Sequence, residues 1–175
     1  MNAVNCVLFQ KGDGAVVNSY NEWGIATRKV PFKIGGKVKS LAKTDWKDEH
    51  GADEYFPAKL CFEPYEIEVE FAYVGRELAS NPFNLSLATT QIANFISWLS
   101  GNDSENGTGS ELKIYFPYTG IGRQKCRLSE ISDEDPHLQL VQVGSSLYNE
   151  NVVTFKVKFM VTDPVTYITL SETNV

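Results

Sequence analysis

Tyr65-Glu66-Ile67-Glu68-Val69-Glu70-Phe71-Ala72-Tyr73-Val74 alternates more regularly than any other part of the chain. Successive side chains of a strand face opposite ways. Tyr65, Ile67, Val69, Phe71 and Tyr73 therefore share one face, which requires a core. Glu66, Glu68, Glu70 and Ala72 share the other, a row of three carboxylates with no counter-charge between them. The stretch predicts a β fold with one buried and one wet face. Its acidic row needs water, or cations brought from elsewhere.

The same period recurs outward from this strand. Leu112, Ile114 and Phe116 alternate within Glu111–Pro117, and Cys126 and Leu128 within Arg123–Ile131. Val153, Phe155, Val157, Phe159 and Val161 alternate within Asn151–Thr162. Shorter strands are expected at residues 4–9, Tyr20–Thr27, Lys29–Ile34, Lys59–Phe62, His137–Val143 and Val165–Leu170. Residues 75–84 read as a polar loop, and Asp133-Glu134-Asp135-Pro136 as a turn. One helix is expected, capped by Thr89 or Thr90 and stopped by Gly101. Ile92, Phe95, Ile96 and Leu99 form its apolar stripe, which Trp98 widens. The predicted fold is mainly β, a β-sandwich or split barrel of about nine mostly antiparallel strands with one flanking α-helix. A length of 175 residues suits a single domain spanning 1–175.

Ten Phe and eight Tyr argue for a packed β-rich globule rather than disorder. A net charge of −6 disfavours general nucleic-acid binding by the surface as a whole, and no sequence-specific nucleic-acid partner is expected. No apolar run approaches the roughly 20 residues needed to span a bilayer, so no membrane partner is expected. Residues 1–6 lack a basic region followed by an apolar run, so cytoplasmic synthesis without a signal peptide is expected. Cys6, Cys61 and Cys126 are odd in number and far apart, and read as reduced, small hydrophobes.

Residues 36–57 break the alternation. Lysines come first, then Asp45-Trp46-Lys47-Asp48-Glu49-His50-Gly51-Ala52-Asp53-Glu54-Tyr55-Phe56-Pro57, where bulky rings are mixed with acids. This predicts a long arm with aromatic anchors at Trp46, Tyr55 and Phe56. Residues 101–110, rich in Gly, Ser and Asn, predict a flexible loop.

Catalytic chemistry finds no foothold. No G-x-S-x-G, Walker or Rossmann glycine pattern occurs, and no cysteine has a catalytic signature. His50 beside Asp48, Glu49, Asp53 and Glu54 matches no zinc or EF-hand spacing. No metal, cofactor or catalytic residue is assigned, and the chain is read as non-enzymatic. What remains is charge. Arg123, Lys125 and Arg127 mark one basic strand face, and Lys156 and Lys158 another. Beside the acidic strand they would form cross-strand pairs. On other surfaces they would let one subunit's acidic stripe meet another's basic stripe. Glu66, Glu68, Glu70, Arg123, Lys125, Arg127, Lys156, Lys158, Trp46, Tyr55 and Phe56 are thus the candidate subunit-interface residues.

The order of elements resembles the N-terminal domain of phage distal tail proteins and, more loosely, the tail-tube fold. The likeness rests on Trp23-Gly24-Ile25 and on Asp45–Pro57 running into Tyr65–Val74. It rests also on Phe95-Ile96-Ser97-Trp98-Leu99 and on Leu112–Phe116 with its return strand Gln124–Ile131. The resemblance implies two packed sheets, a flanking helix and a long arm. It implies homo-oligomeric, hexameric rings in contact with other tail or baseplate proteins, and a place in a virion tail of a phage or prophage. Many distal tail proteins continue into a second β-sandwich domain, whereas this sequence stops at Val175, so ring assembly is the role expected. The alternative reading is a carbohydrate- or ligand-binding β-sandwich, with Trp46, Tyr55 and Tyr118 as stacking platforms.

Overall fold

The computed structural model describes residues 5–48, 50–74, 85–133, 137–143 and 146–172. In chain order its elements are β1 (Leu8–Gln10), β2 (Val17–Asn18), α1 (Ser19–Trp23), β3 (Ile25–Lys29), β4 (Lys43–Thr44) and β5 (Asp53–Glu54). They continue with β6 (Tyr65–Tyr73), α2 (Leu85–Ser100), β7 (Leu112–Phe116), β8 (Ile121–Asp133), β9 (His137–Val143) and β10 (Ser146–Val161). The fold is mainly antiparallel β. One sheet runs β2-β1-β7-β8-β10-β6-β3, with β9 paired to β10, and β4 and β5 form a separate pair. The sheet curls until the segment before β1 reaches the far edge, where Thr27 N–H donates to Asn5 O at 2.8 Å. That closure is the split-barrel form of the predicted architecture. The expected loop at 75–84 lies outside the described residues, as does the turn at 134–136.

The acidic strand is β6, and its alternation is kept: Tyr65, Ile67, Val69, Phe71 and Tyr73 are buried. It is flanked by β10 and β3, so each face of its pleat is backed by neighbours on both sides. The helix α2 closes the open side of the curl. Phe95 and Leu99 are fully buried, and Ile92 and Trp98 pack on the core from its margin. Phe95 sits among the rings of Phe9, Trp23, Phe71 and Phe155, at centroid distances of 5.8, 5.1, 5.4 and 6.3 Å. These are edge-on or tilted contacts of the kind aromatic quadrupoles favour.

Four local expectations are corrected. α2 begins at Leu85, earlier than a Thr89 or Thr90 cap would place it. The Thr90 hydroxyl instead donates back to Ser86 O at 2.9 Å, one turn earlier. The strand expected over Tyr20–Thr27 opens as a second, short helix, α1. Asn18 Oδ1 accepts from Tyr20 and Asn21 N–H, and Gly24 ends the turn at φ 69°. The segment Val165–Leu170 makes only a single bridge, between Tyr167 and Arg123.

The fourth correction concerns Arg123. Leu112 pairs with Cys126 but Ile114 pairs with Arg123, so β8 carries one extra residue. Lys125, at φ 52°, is the bulge. An inserted residue reverses the in–out phase of a strand. Cys126 keeps the inward side and Arg127 the outward side, but Arg123 turns inward and is fully buried. It does not share an exposed basic face with Lys125 and Arg127.

Candidate assembly surface

The outer face of the sheet answers the question raised by the carboxylate row. β10 lies directly beside β6, with Lys156 opposite Glu70 and Lys158 opposite Glu68. On the other flank Arg28 of β3 reaches Glu70 at 2.9 Å. From β8, Ser129 Oγ donates to Glu66 Oε1 at 2.6 Å, and Glu130 takes Lys158 Nζ at 2.5 Å. The sign of charge therefore alternates strand by strand: basic β3, acidic β6, basic β10, acidic at Glu130. The bond to Glu130, reinforced by the nearby Glu66 and Glu68, raises the Lys158 pKa. Of the two arrangements open to these residues, the structure brings the acidic row and the Lys156/Lys158 row together in one chain. Lys125 and Arg127 stay exposed on β8, between β7 and β10. Each exposed cross-strand pair contributes roughly 0.2–1 kcal/mol. Glu68→Lys sets like charges side by side, and is expected to lower unfolding free energy by about 1 kcal/mol in a urea titration.

A long hairpin arm projects from the body. Its two sides are tied by Lys39 N–H to Cys61 O (2.8 Å), Glu63 N–H to Lys37 O (2.7 Å) and Tyr55 N–H to Ala42 O (3.0 Å), with β4 and β5 near the tip. Trp46 Nε1 donates to Asp53 Oδ2 at 3.1 Å and closes the turn between them. The pairing makes the irregular segment of the sequence an extended two-stranded strut, longer than the 36–57 expected. Its apolar side chains face solvent: Phe56 is 81% exposed, Tyr55 67% and Trp46 54%, and Phe32, just before the root, is 72% exposed. Leu60 and Ile34 are exposed as well. Large apolar side chains are thus gathered in the open on one projecting element. Trp46, Tyr55 and Phe56 were visible in the sequence as rings among acids. Phe32, Ile34 and Leu60 were not, because nothing in their own neighbourhood announces that the core leaves them out.

The root of the arm is built more tightly. Gly36 lies where a Cβ would come within 2.6 Å of Glu63 O and 3.1 Å of the Tyr65 ring. Lys33 Nζ donates to Glu66 O at 3.0 Å and sits over the Tyr65 ring at 5.1 Å. Arg123 completes the root from below: its Nε donates to Tyr65 Oη at 2.6 Å and its Nη2 to Ile34 O. The Tyr167 ring covers the guanidinium at 3.8 Å.

Elsewhere Lys11 reaches the loop 101–110. Lys11 Nζ donates to Trp98 O and to Thr108 Oγ1, lies 4.4 Å from the Trp98 ring centre and 3.9 Å from Asp103. Burial lowers the Lys11 pKa, against the pull of Asp103. A shallow groove of about 440 Å³ beside this loop is lined by Trp23, Trp98, Asn94 and Asp103. Burial pushes the Cys126 thiol up to about 12, so it stays a neutral core group. Among the described residues no three His, Cys, Asp or Glu side chains are grouped to hold a metal ion. No helix among them is long and apolar enough to cross a membrane.

The fold has a solved counterpart. The crystal structure of the SPP1 Dit (gp 19.1) protein, titled a paradigm of the hub adsorption apparatus in phages infecting Gram-positive hosts, superposes with a TM-score of 0.55 at 12% identity. The match covers 93% of this chain and 51% of that one, so this chain spans about half the length of the hub protein. At that identity the likeness shows a shared fold. No protein-family model matches the sequence, and no curated protein does.

Proposed function

We propose that this chain is a structural assembly protein of a phage or prophage tail, of the distal tail or tail-tube kind, building a ring through contacts between copies of itself. The observation that carries the reading is the arm, a strut of exposed aromatic residues on a fold shared with a tail hub protein. A monomer gains nothing from holding Trp46, Tyr55 and Phe56 in water; a neighbouring copy that covers them does. Lys125 and Arg127 would sit at the rim of such a contact and set its register. Arg28 beside Glu70 and Lys158 opposite Glu68 offset part of the acidic row within the sheet, so we place the main contact on the arm. Other tail or baseplate proteins would stack on the two faces of the ring, and the protein would reside in the virion tail.

Electron microscopy and mass photometry of concentrated protein test this directly. Closed rings, six-fold on the resemblance, are expected to grow in with concentration. A strict monomer at high concentration, in both low and moderate salt, overturns the proposal. Within it, Phe56→Ala is expected to weaken association by roughly 30-fold or more, the effect of a central aromatic anchor. Its melting temperature as a monomer should be unchanged, because the side chain touches no core. A monomer that instead shows a saturable shift with a glycan panel would favour the ligand-binding alternative.

A further inference from the structure

Arg123 is an unusual buried residue. Its partners among the described residues are the Tyr65 hydroxyl, the carbonyls of Ile34 and Gly122, and the face of Tyr167, none of them a carboxylate. A charge withdrawn from water needs its donors satisfied, and here two remote segments satisfy them together. Ile34 opens the arm, 89 residues before Arg123. Tyr167 belongs to the C-terminal segment and its hydroxyl also donates to Ile34 O, at 3.0 Å. One carbonyl of the arm root thus accepts from both the sheet and the C-terminal segment. That segment is seated by its own contacts: Tyr167 bridges Arg123, and Ile168 N–H meets Gly122 O. Asp163 starts it with a turn, accepting from Val165 and Thr166 N–H at 3.2 and 3.1 Å and from Gln124 Nε2 at 2.8 Å.

We infer that Arg123 and Tyr167 form a latch through which the C-terminal segment 163–170 fixes the direction in which the arm leaves the body. Among the described residues the root is also tied to β6 by Lys33 and by the close approach at Gly36. The latch adds β8 and the C-terminal segment to that hold, with Arg123 bonded to Tyr65 of β6 as well. With both in place the root of the strut is held by β6 and by the C-terminal segment; with Tyr167 released it keeps only its ties to the sheet. Because coupling is reciprocal, a load that fixes the arm also holds the C-terminal segment down. Arg123 and Tyr167 are positioning residues: Tyr167 is half exposed and could be lost without opening the core. The inference stands apart from the ring reading, since it concerns a single copy.

Spin labels read the arm's direction in the monomer. One label sits on exposed Cys61 of the arm and one on Glu111→Cys at the start of β7, in a Cys6→Ser background with Cys126 left buried. The parent protein is expected to give one narrow distance distribution. Tyr167→Ala should broaden and shift it, Tyr167→Phe should keep most of the narrowness through ring stacking, and Trp46→Ala at the tip should leave it unchanged. Hydrogen exchange at 165–170 should quicken in Tyr167→Ala while β6 and β10 stay protected, which separates an opened latch from general destabilisation. A Tyr167→Ala distribution that superposes on the parent overturns the inference, as does equal broadening by Trp46→Ala. Ring formation or its absence bears on neither outcome.

Discussion

Phe95→Ala is expected to lower the unfolding free energy by about 3–5 kcal/mol, read by urea denaturation followed by far-UV circular dichroism. The figure rests on position. Phe95 is the contact between α2 and the sheet, touching Phe9, Trp23, Phe71 and Phe155 at once. Those four rings belong to β1, α1, β6 and β10, which are drawn from the first sixth to the last sixth of the chain. Deleting the ring leaves a void that none of them can fill alone, because each is fixed by its own strand or helix. Domains of this size are stable by roughly 5–15 kcal/mol, so the loss is a large fraction of the whole. Phe95→Leu should recover more than half of it, by restoring volume without the edge-on contacts. A loss under about 1 kcal/mol for Phe95→Ala would mean the helix is not the lid of the core.

Gly122→Ala is expected to act at a distance from any core cavity. A Cβ at that position would overlap the Ile168 carbonyl and press on the Tyr115 ring at 2.9 Å. The obstacle is backbone, so no rotamer change relieves it, and the C-terminal segment must move. Overpacking of this sort costs about 1–3 kcal/mol. The specific result is that exchange quickens at 163–170 and at the arm root, while β6 and β10 hold their protection. Circular dichroism should show an almost unchanged sheet. If the variant is as stable as the parent and exchanges identically, the seat of the segment beside Gly122 is wrong.

The parts of the fold that read plainly from sequence are those where burial and local period agree. β6 and the core half of β10 alternate for nine residues each, and α2 keeps an apolar stripe through Ala88, Phe95 and Leu99. The parts that did not read are set by contacts remote in sequence. Arg123, Lys125 and Arg127 are spaced like one exposed face, and only the bulge at Lys125 breaks that pattern. The bulge answers to pairing with β7 and to Tyr65, 58 residues away. α1 is five residues long, too short for a periodic signal, and exists through its cap at Asn18 and its stop at Gly24. The arm's ladder was hidden for a similar reason: its strands carry no buried face, so nothing requires them to alternate. Its rings could be picked out by type, but their exposure is a property of the finished body.

One consequence follows from the length of β10. It is a single strand of sixteen residues, Ser146–Val161, but its two halves have different neighbours. Residues 153–161 pair with β6, and 155–161 of these also with β8, whereas among the described residues 146–152 pair with β9. Among the described residues the β9–β10 hairpin is therefore the outer end of a rod whose other end is set in the body. A pull along that rod runs perpendicular to the hydrogen bonds of the embedded half. Those bonds are loaded in parallel, in shear, and must fail together rather than unzip one at a time. Such a hairpin transmits tension into the barrel without peeling, which makes it a mechanical tie as much as a piece of surface.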